Sequence, residues 1–125
     1  MAQAQARGNR KASGGRYHPF RSKRKFELAR FPALTKIAEK KLRWRRTIGG
    51  NKKVLSLSAK EINVANSKGK VQKAEIVTVL ENPANPNLVG RNILTKGAIV
   101  ETKLGKVRVT SRPGQEASVN GVLVE

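Results

Sequence analysis

Seventeen lysines and arginines stand in the first 53 residues of this 125-residue chain, against Glu27 and Glu39 alone, a balance of +15. They are Arg7, Arg10, Lys11, Arg16, Arg21, Lys23, Arg24, Lys25, Arg30, Lys36, Lys40, Lys41, Arg43, Arg45, Arg46, Lys52 and Lys53. A guanidinium can hold a phosphate through a planar fork, whereas an ammonium acts as a point charge, so the chemistry of this set is phosphate binding. A segment so charged repels itself, and two carboxylates cannot neutralise it. The composition therefore implies a nucleic-acid partner. If about ten of these cations met phosphates, log affinity would fall against log salt with a slope of about −7 to −9, and binding would be largely blind to base sequence.

Other residues of the same segment extend that chemistry. Ser13-Gly14-Gly15-Arg16 and Gly49-Gly50-Asn51-Lys52 place glycines where a backbone can approach a phosphate, or simply hinge. All five aromatics, Tyr17, Phe20, Phe26, Phe31 and Trp44, also lie here. Tyr17, His18, Phe20, Phe26 and Trp44, interleaved with cations, either stack on unpaired bases or pack against the rest of the chain. Packing is the expectation for Phe26 and Phe31, which sit beside Leu28 and Ala29. Arg112, in Arg112-Pro113-Gly114-Gln115, completes the candidate RNA contacts.

Catalysis and metal chemistry find little support. The chain has no Cys and one His, which excludes disulfides, zinc fingers and Cys nucleophiles. His18 is too isolated to be a metal ligand, and no G-x-x-x-x-G-K-[ST] cradle occurs. Glu75, Glu81 and Glu101 have no base beside them and are expected to pair with nearby lysines on strands. No catalytic residue, metal, cofactor or small-molecule substrate is expected. No run approaches the roughly 18 apolar residues of a membrane span, and Met1–Ala6 lacks the apolar core of a signal peptide. The expectation is a cytoplasmic protein with no membrane partner.

Positioning these residues requires a folded element, and the second half of the chain supplies it. Residues 54–125 carry 16 of the 18 Val and Ile residues, in short runs separated by turn residues. Such runs suit a pleated surface, and the reading is mainly β. Strands are expected at 54–59, with Leu55, Leu57 and Ala59 on one face, and at about 71–80, 91–95, 98–102, 106–111 and 118–124. Ser67-Lys68-Gly69 and Lys103-Leu104-Gly105 suit tight turns. The two prolines of Asn82-Pro83-Ala84-Asn85-Pro86-Asn87 mark a surface loop. Arg112-Pro113-Gly114-Gln115 fits a type II turn. Strands this short expose their edges unless the sheet closes, so a small closed six-stranded barrel with an aliphatic core is expected over 49–125. Residues 1–48 read as an extended basic arm. Leu34, Ile37, Ala38 and Leu42 fall at helical spacing after Pro32, which predicts one short helix within about 34–46.

Several blocks resemble the S8e family of small-subunit ribosomal proteins, shared by archaea and eukaryotes. Arg10-Lys11-Ala12-Ser13-Gly14-Gly15-Arg16 and Arg21-Ser22-Lys23-Arg24-Lys25-Phe26-Glu27-Leu28-Ala29-Arg30 resemble its N-terminal signature. Gly49-Gly50-Asn51-Lys52-Lys53-Val54 resembles its central motif. Glu81-Asn82-Pro83-Ala84-Asn85, the stretch 91–101 and Val109-Thr110-Ser111-Arg112-Pro113-Gly114-Gln115 resemble its C-terminal blocks. The chain departs from the family at its start, where many members carry a Trp-Gln-Gly-Arg-like stretch, and at Gly90. The resemblance implies an archaeal, non-catalytic constituent of the small subunit. Its arm would thread into ribosomal RNA and its barrel would sit beside neighbouring small-subunit proteins. A free-standing DNA-compacting or RNA-maturation protein is the alternative that the composition permits.

Overall fold

The computed structural model describes residues 4–124. The chain forms two compact units, Met1–Pro32 and Ala33–Glu125. The packing division thus falls ahead of the composition boundary at Gly49-Gly50, and residues 33–48 pack within the second unit.

The second unit is mainly β, with two short 3-10 turns at Ile48–Gly50 and Pro86–Leu88. Seven strands follow in order: β1 Lys41–Arg46, β2 Lys52–Ser58, β3 Glu61–Ala65, β4 Val71–Glu81, β5 Ile99–Thr102, β6 Gly105–Val109 and β7 Asn120–Leu123. Strands β3 to β7 close a barrel in sequential order, while β1 and β2 form a separate two-stranded sheet. Antiparallel pairs run from β3 round to β7, and the seam is a parallel β3–β7 pair in which Asn63 faces Asn120. The Asn63 Nδ2 donates to Asn120 Oδ1 at 2.9 Å across that seam. Closure leaves no barrel edge open to pair with another chain.

The barrel has five strands where the sequence predicts six, and three local departures explain the count. Residues 54–59 do form a strand, but β2 pairs with β1 outside the barrel. Residues 91–95 make only a single bridge, between Ile93 and Lys36. Glu61–Ala65, where no strand is expected from the sequence, alternates buried Ile62 and Val64 with more accessible positions and becomes β3, one side of the closing seam.

The predicted helix within 34–46 is absent, and the described residues contain no α-helix. Leu34 takes φ 46°, Lys36 bridges both Ser58 and Ile93, and Lys41–Arg46 is strand β1. Thr35 is buried, and its hydroxyl donates to Ser56 O at 2.6 Å while Leu94 N–H donates to Thr35 O at 2.8 Å. Cross-strand pairing of this non-local kind outweighs a weak helical period.

The core is aliphatic, as expected. Ile62, Val64, Ala74, Ile76, Val79, Leu94, Ala98, Val100, Val107, Val109 and Val119 pack together, with Ile37 and Val89 against them. Inward positions on β4 shift from Ala74 and Ile76 to Val79 because the register with β5 slips between Ile76 and Thr78. Asn92, at φ 51°, holds that irregularity: its Oδ1 accepts from Thr78 Oγ1 at 3.1 Å and from Val79 N–H at 3.3 Å. Such a bulge bends the strand, which a barrel this small requires. Gly121 on β7 lies where two layers touch, since a Cβ there would meet Val107 Cγ1 at 2.5 Å and Arg108 O at 2.9 Å. The Arg112–Gln115 turn differs from the type II expectation. Gly114 is not among the glycines with positive φ, and both Gln115 and Glu116 donate back to Arg112 O.

Candidate nucleic-acid interface

Cations crowd one turn of the Met1–Pro32 unit. Arg10 bridges Arg16, Lys11 N–H donates to Gly15 O at 2.8 Å, and Gly14 N–H donates to Lys11 O at 3.0 Å. Gly14 has φ +84°, a conformation that side chains disfavour, so the tight Ser13-Gly14-Gly15 reversal depends on it. Arg10 Nη1 then donates to Gly14 O at 3.0 Å. The Arg7 guanidinium sits 3.8 Å from the centroid of the Tyr17 ring, and Lys11 Nζ approaches the same ring at 5.6 Å. The turn therefore assembles Arg7, Arg10, Lys11, Arg16 and Tyr17 in one place.

Further along, Arg21 pairs with Glu27 and lies 5.3 Å from the Phe20 ring centroid. Glu27 also accepts from Arg24 N–H at 3.2 Å. Glu27 is the one carboxylate among nine Lys and Arg in residues 1–32. Lys23, Arg24, Lys25, Arg30 and His18 all face solvent, and no described residue of this unit is buried. Phe26 and Phe31, for which packing was the expectation, are 82% and 81% exposed.

In the second unit the cations gather on the β1–β2 hairpin. Register pairs Arg46 with Lys52, Arg45 with Lys53, Trp44 with Val54 and Arg43 with Leu55. Facing side chains share a side of the ladder, so two pairs of like charge stand opposite each other, an arrangement that destabilises an isolated hairpin. The tip loop is organised by Thr47 N–H donating to Asn51 O at 2.7 Å and by Asn51 Nδ2 donating to Ile48 O at 3.2 Å. Gly49 and Gly50 both take positive φ, at 74° and 75°, which lets five residues reverse the chain. The base of the hairpin is anchored by buried Leu55 and Ser56, and Ser56 N–H donates to Pro113 O at 2.9 Å. Its tip stays in solvent. Ile48, at the apex and 96% exposed, escaped the sequence reading; its signal is an apolar residue isolated between cations and Gly-Gly.

The fold adds one cation that sequence distance hides. Lys53 Nζ lies 3.4 Å from Gln115 Oε1, 62 residues away, which brings the exposed Arg112 turn to the hairpin. Lys36, Lys40, Lys41 and Arg43 are exposed nearer the hairpin base, though Lys36 is tied down through its backbone.

Of the three carboxylates expected to pair with lysines, Glu75 does so, whereas Glu81 stands opposite Ile99 in the β4–β5 ladder. Glu75 pairs with Lys60 at 3.4 Å and with Lys103. The hydrogen bond and charge of Lys103, followed by those of Lys60, hold the Glu75 carboxyl below the usual carboxylate range. Glu101 faces Lys106 in the β5–β6 ladder. Among the described residues, no group of three or more His, Cys, Asp or Glu could hold a metal, and no helix is long and apolar enough to cross a membrane.

The family model of ribosomal protein S8e matches residues 4–124. The chain belongs to that family. Small ribosomal subunit protein eS8 of Methanocorpusculum labreanum is 51% identical over 122 residues, covering 97% of this chain and 98% of the relative. The eS8 proteins of Methanospirillum hungatei and Methanobrevibacter smithii are each 49% identical, over 98% and 99% of this chain and 99% and 100% of theirs. The S8e blocks read in the sequence fall on the features just described. Residues 10–16 form the tight cationic turn, 49–54 the hairpin tip and β2. Asn82, in the 81–85 block, is buried and accepts from Ala84 N–H, Asn85 N–H and Thr95 Oγ1, which fastens the proline loop.

Proposed function

We propose that this S8e chain is a structural constituent of the small ribosomal subunit that binds ribosomal RNA and stabilises it by phosphate neutralisation. Membership of a ribosomal protein family makes the chain structural rather than enzymatic. One observation carries the RNA reading: the β1–β2 hairpin sets Arg45 against Lys53 and Arg46 against Lys52. Like charges facing each other across a ladder cost the free protein stability, and an RNA phosphate between them turns that cost into attraction.

In this reading the Met1–Pro32 unit is a basic arm that folded RNA stabilises, because none of its described residues is buried and it has little apolar packing to offset its ordering entropy alone. Its contacts come from Arg7, Arg10, Lys11, Arg16, Tyr17, His18, Arg21, Lys23, Arg24, Lys25 and Arg30, and from the Ser13-Gly14-Gly15 backbone. The hairpin adds Lys41, Arg43, Trp44, Arg45, Arg46, Asn51, Lys52 and Lys53, with Lys36, Lys40 and Arg112 at its flanks. The barrel then meets neighbouring small-subunit proteins, and the protein works on the ribosome in the cytoplasm.

Filter binding of the full chain to naked small-subunit RNA over a salt series tests the reading. A log–log slope of about −7 to −9 is expected, with near-stoichiometric recovery of the protein in salt-washed small subunits. Absence from washed subunits, together with equal affinity for duplex DNA, would instead identify a free-standing nucleic-acid binder.

A further inference from the structure

We propose that the Trp44 face of the β1–β2 hairpin is a binding site for one unpaired RNA nucleobase, stacked on the indole with its phosphate between Arg46 and Lys52. The inference rests on the RNA reading above and goes beyond phosphate neutralisation. It assigns a specific ligand class, a single-stranded nucleotide, to one place on the protein.

Three observations converge on this face. Trp44 is the chain's only tryptophan and lies in the middle of a strand, yet it is 67% exposed while the core is closed with aliphatic side chains alone. An aromatic of this size ordinarily contributes its large area to a core or an interface, and here no core takes it. Register holds the ring opposite Val54 and places Arg46 and Lys52 as the next facing pair, so flat apolar surface and positive charge are adjacent on one rigid element. Trp44, Arg45, Arg46 and Lys52 line an open cleft of about 380 Å³, within the roughly 300–1,000 Å³ range of small-molecule sites.

Two of the other aromatics already carry a cation on or near the ring. The Arg7 guanidinium already lies 3.8 Å from the centroid of the Tyr17 ring, and Arg21 lies 5.3 Å from that of Phe20. The one-sign charge around Trp44 favours a nucleotide over an apolar protein surface. Duplex RNA hides its base faces within the stack, so only a loop, bulge or strand end can present one.

Because Trp44 is the sole tryptophan, emission of the full-length protein excited at the red edge, where Tyr17 does not absorb, reports on this site alone. Titration with oligouridylate and oligoadenylate is expected to quench emission to saturation, whereas inorganic polyphosphate, a polyanion without bases, is expected to bind and leave emission unchanged. Affinity for labelled single-stranded RNA should drop roughly 5- to 150-fold in Trp44→Ala, the scale of one base–aromatic stack, while polyphosphate affinity holds. Trp44→Phe should recover most of the loss, which separates stacking from a folding defect. RNA retention on filters without a change in emission would overturn the proposal. So would polyphosphate quenching equal to that by RNA, or an equal loss of both ligands in Trp44→Ala. Failure of RNA to bind at all would instead overturn the underlying RNA reading.

Discussion

Replacing Lys52 and Lys53 together by Glu should move stability and RNA affinity in opposite directions. In the hairpin Lys52 faces Arg46 and Lys53 faces Arg45, so each substitution converts a repulsive cross-strand pair into an attractive one. An oppositely charged pair contributes roughly 0.2–1 kcal/mol, which gives about 1 kcal/mol for the two. The exposed Lys53–Gln115 contact at 3.4 Å is lost, a small term at a surface position. For a domain of this size 1 kcal/mol corresponds to a rise of about 4–8 °C in Tm. A circular-dichroism melt at low salt measures it, and the gain should fade near 1 M salt, where charges are screened within about 3 Å. In the same protein the loss of two phosphate contacts should flatten the log affinity–log salt slope by about 1.4–1.8. A variant that melts at or below the wild-type temperature at low salt would refute the claim that the tip is electrostatically strained. An unchanged salt slope would refute its role as a phosphate contact.

Three further outcomes follow from the packing and the charges. Gly121→Ala places a methyl 2.5 Å from Val107 Cγ1 and 2.9 Å from a backbone oxygen at the closing strand, so its urea midpoint should fall by the equivalent of about 1–3 kcal/mol. Deleting residues 1–32 should leave the melting of the Ala33–Glu125 unit intact while weakening RNA binding, because nine of the cations go and none of the described residues removed is buried. Extending the deletion through residue 48 should also lower the midpoint, since it removes buried Thr35 and strand β1 from the hairpin, and full RNA affinity in either truncation would remove the arm from the binding account. Glu75 has a folded-state pKa lowered chiefly by Lys103, so it stabilises the fold above its unfolded pKa and loses that contribution as pH falls through the lower folded value. The Tm of Glu75→Gln should therefore vary less than wild type below about pH 4.5, and parallel pH profiles would contradict the pairing.

Some of this molecule was legible because certain quantities do not depend on conformation. Net charge sums over residues wherever they lie, so the lopsided distribution of cations was readable without knowing any contact. The β-branched runs and the absence of aromatics beyond Trp44 likewise announced a β unit with an aliphatic core. The Lys103-Leu104 turn was readable because its geometry is local, and Gly105 does take positive φ there. Strand identity was not readable in the same way. Glu61–Ala65 carried no expectation but became part of the seam, while 91–95 reads as a strand but spends its polar groups pinning the β4 bulge through Asn92.

Composition and short-range periodicity by themselves determined that the chain is strongly basic at one end and built on small β strands. Only the tertiary structure decided that Leu34–Leu42 would forgo a helix, that five strands rather than six would close, and that Gln115, in the turn after Arg112, would meet Lys53. It alone set Trp44 beside Arg46 and Lys52 on one face. Each of these outcomes depends on hydrogen bonds between residues far apart in sequence, whose energies outweigh the few tenths of a kcal/mol by which local propensity distinguishes one conformation from another.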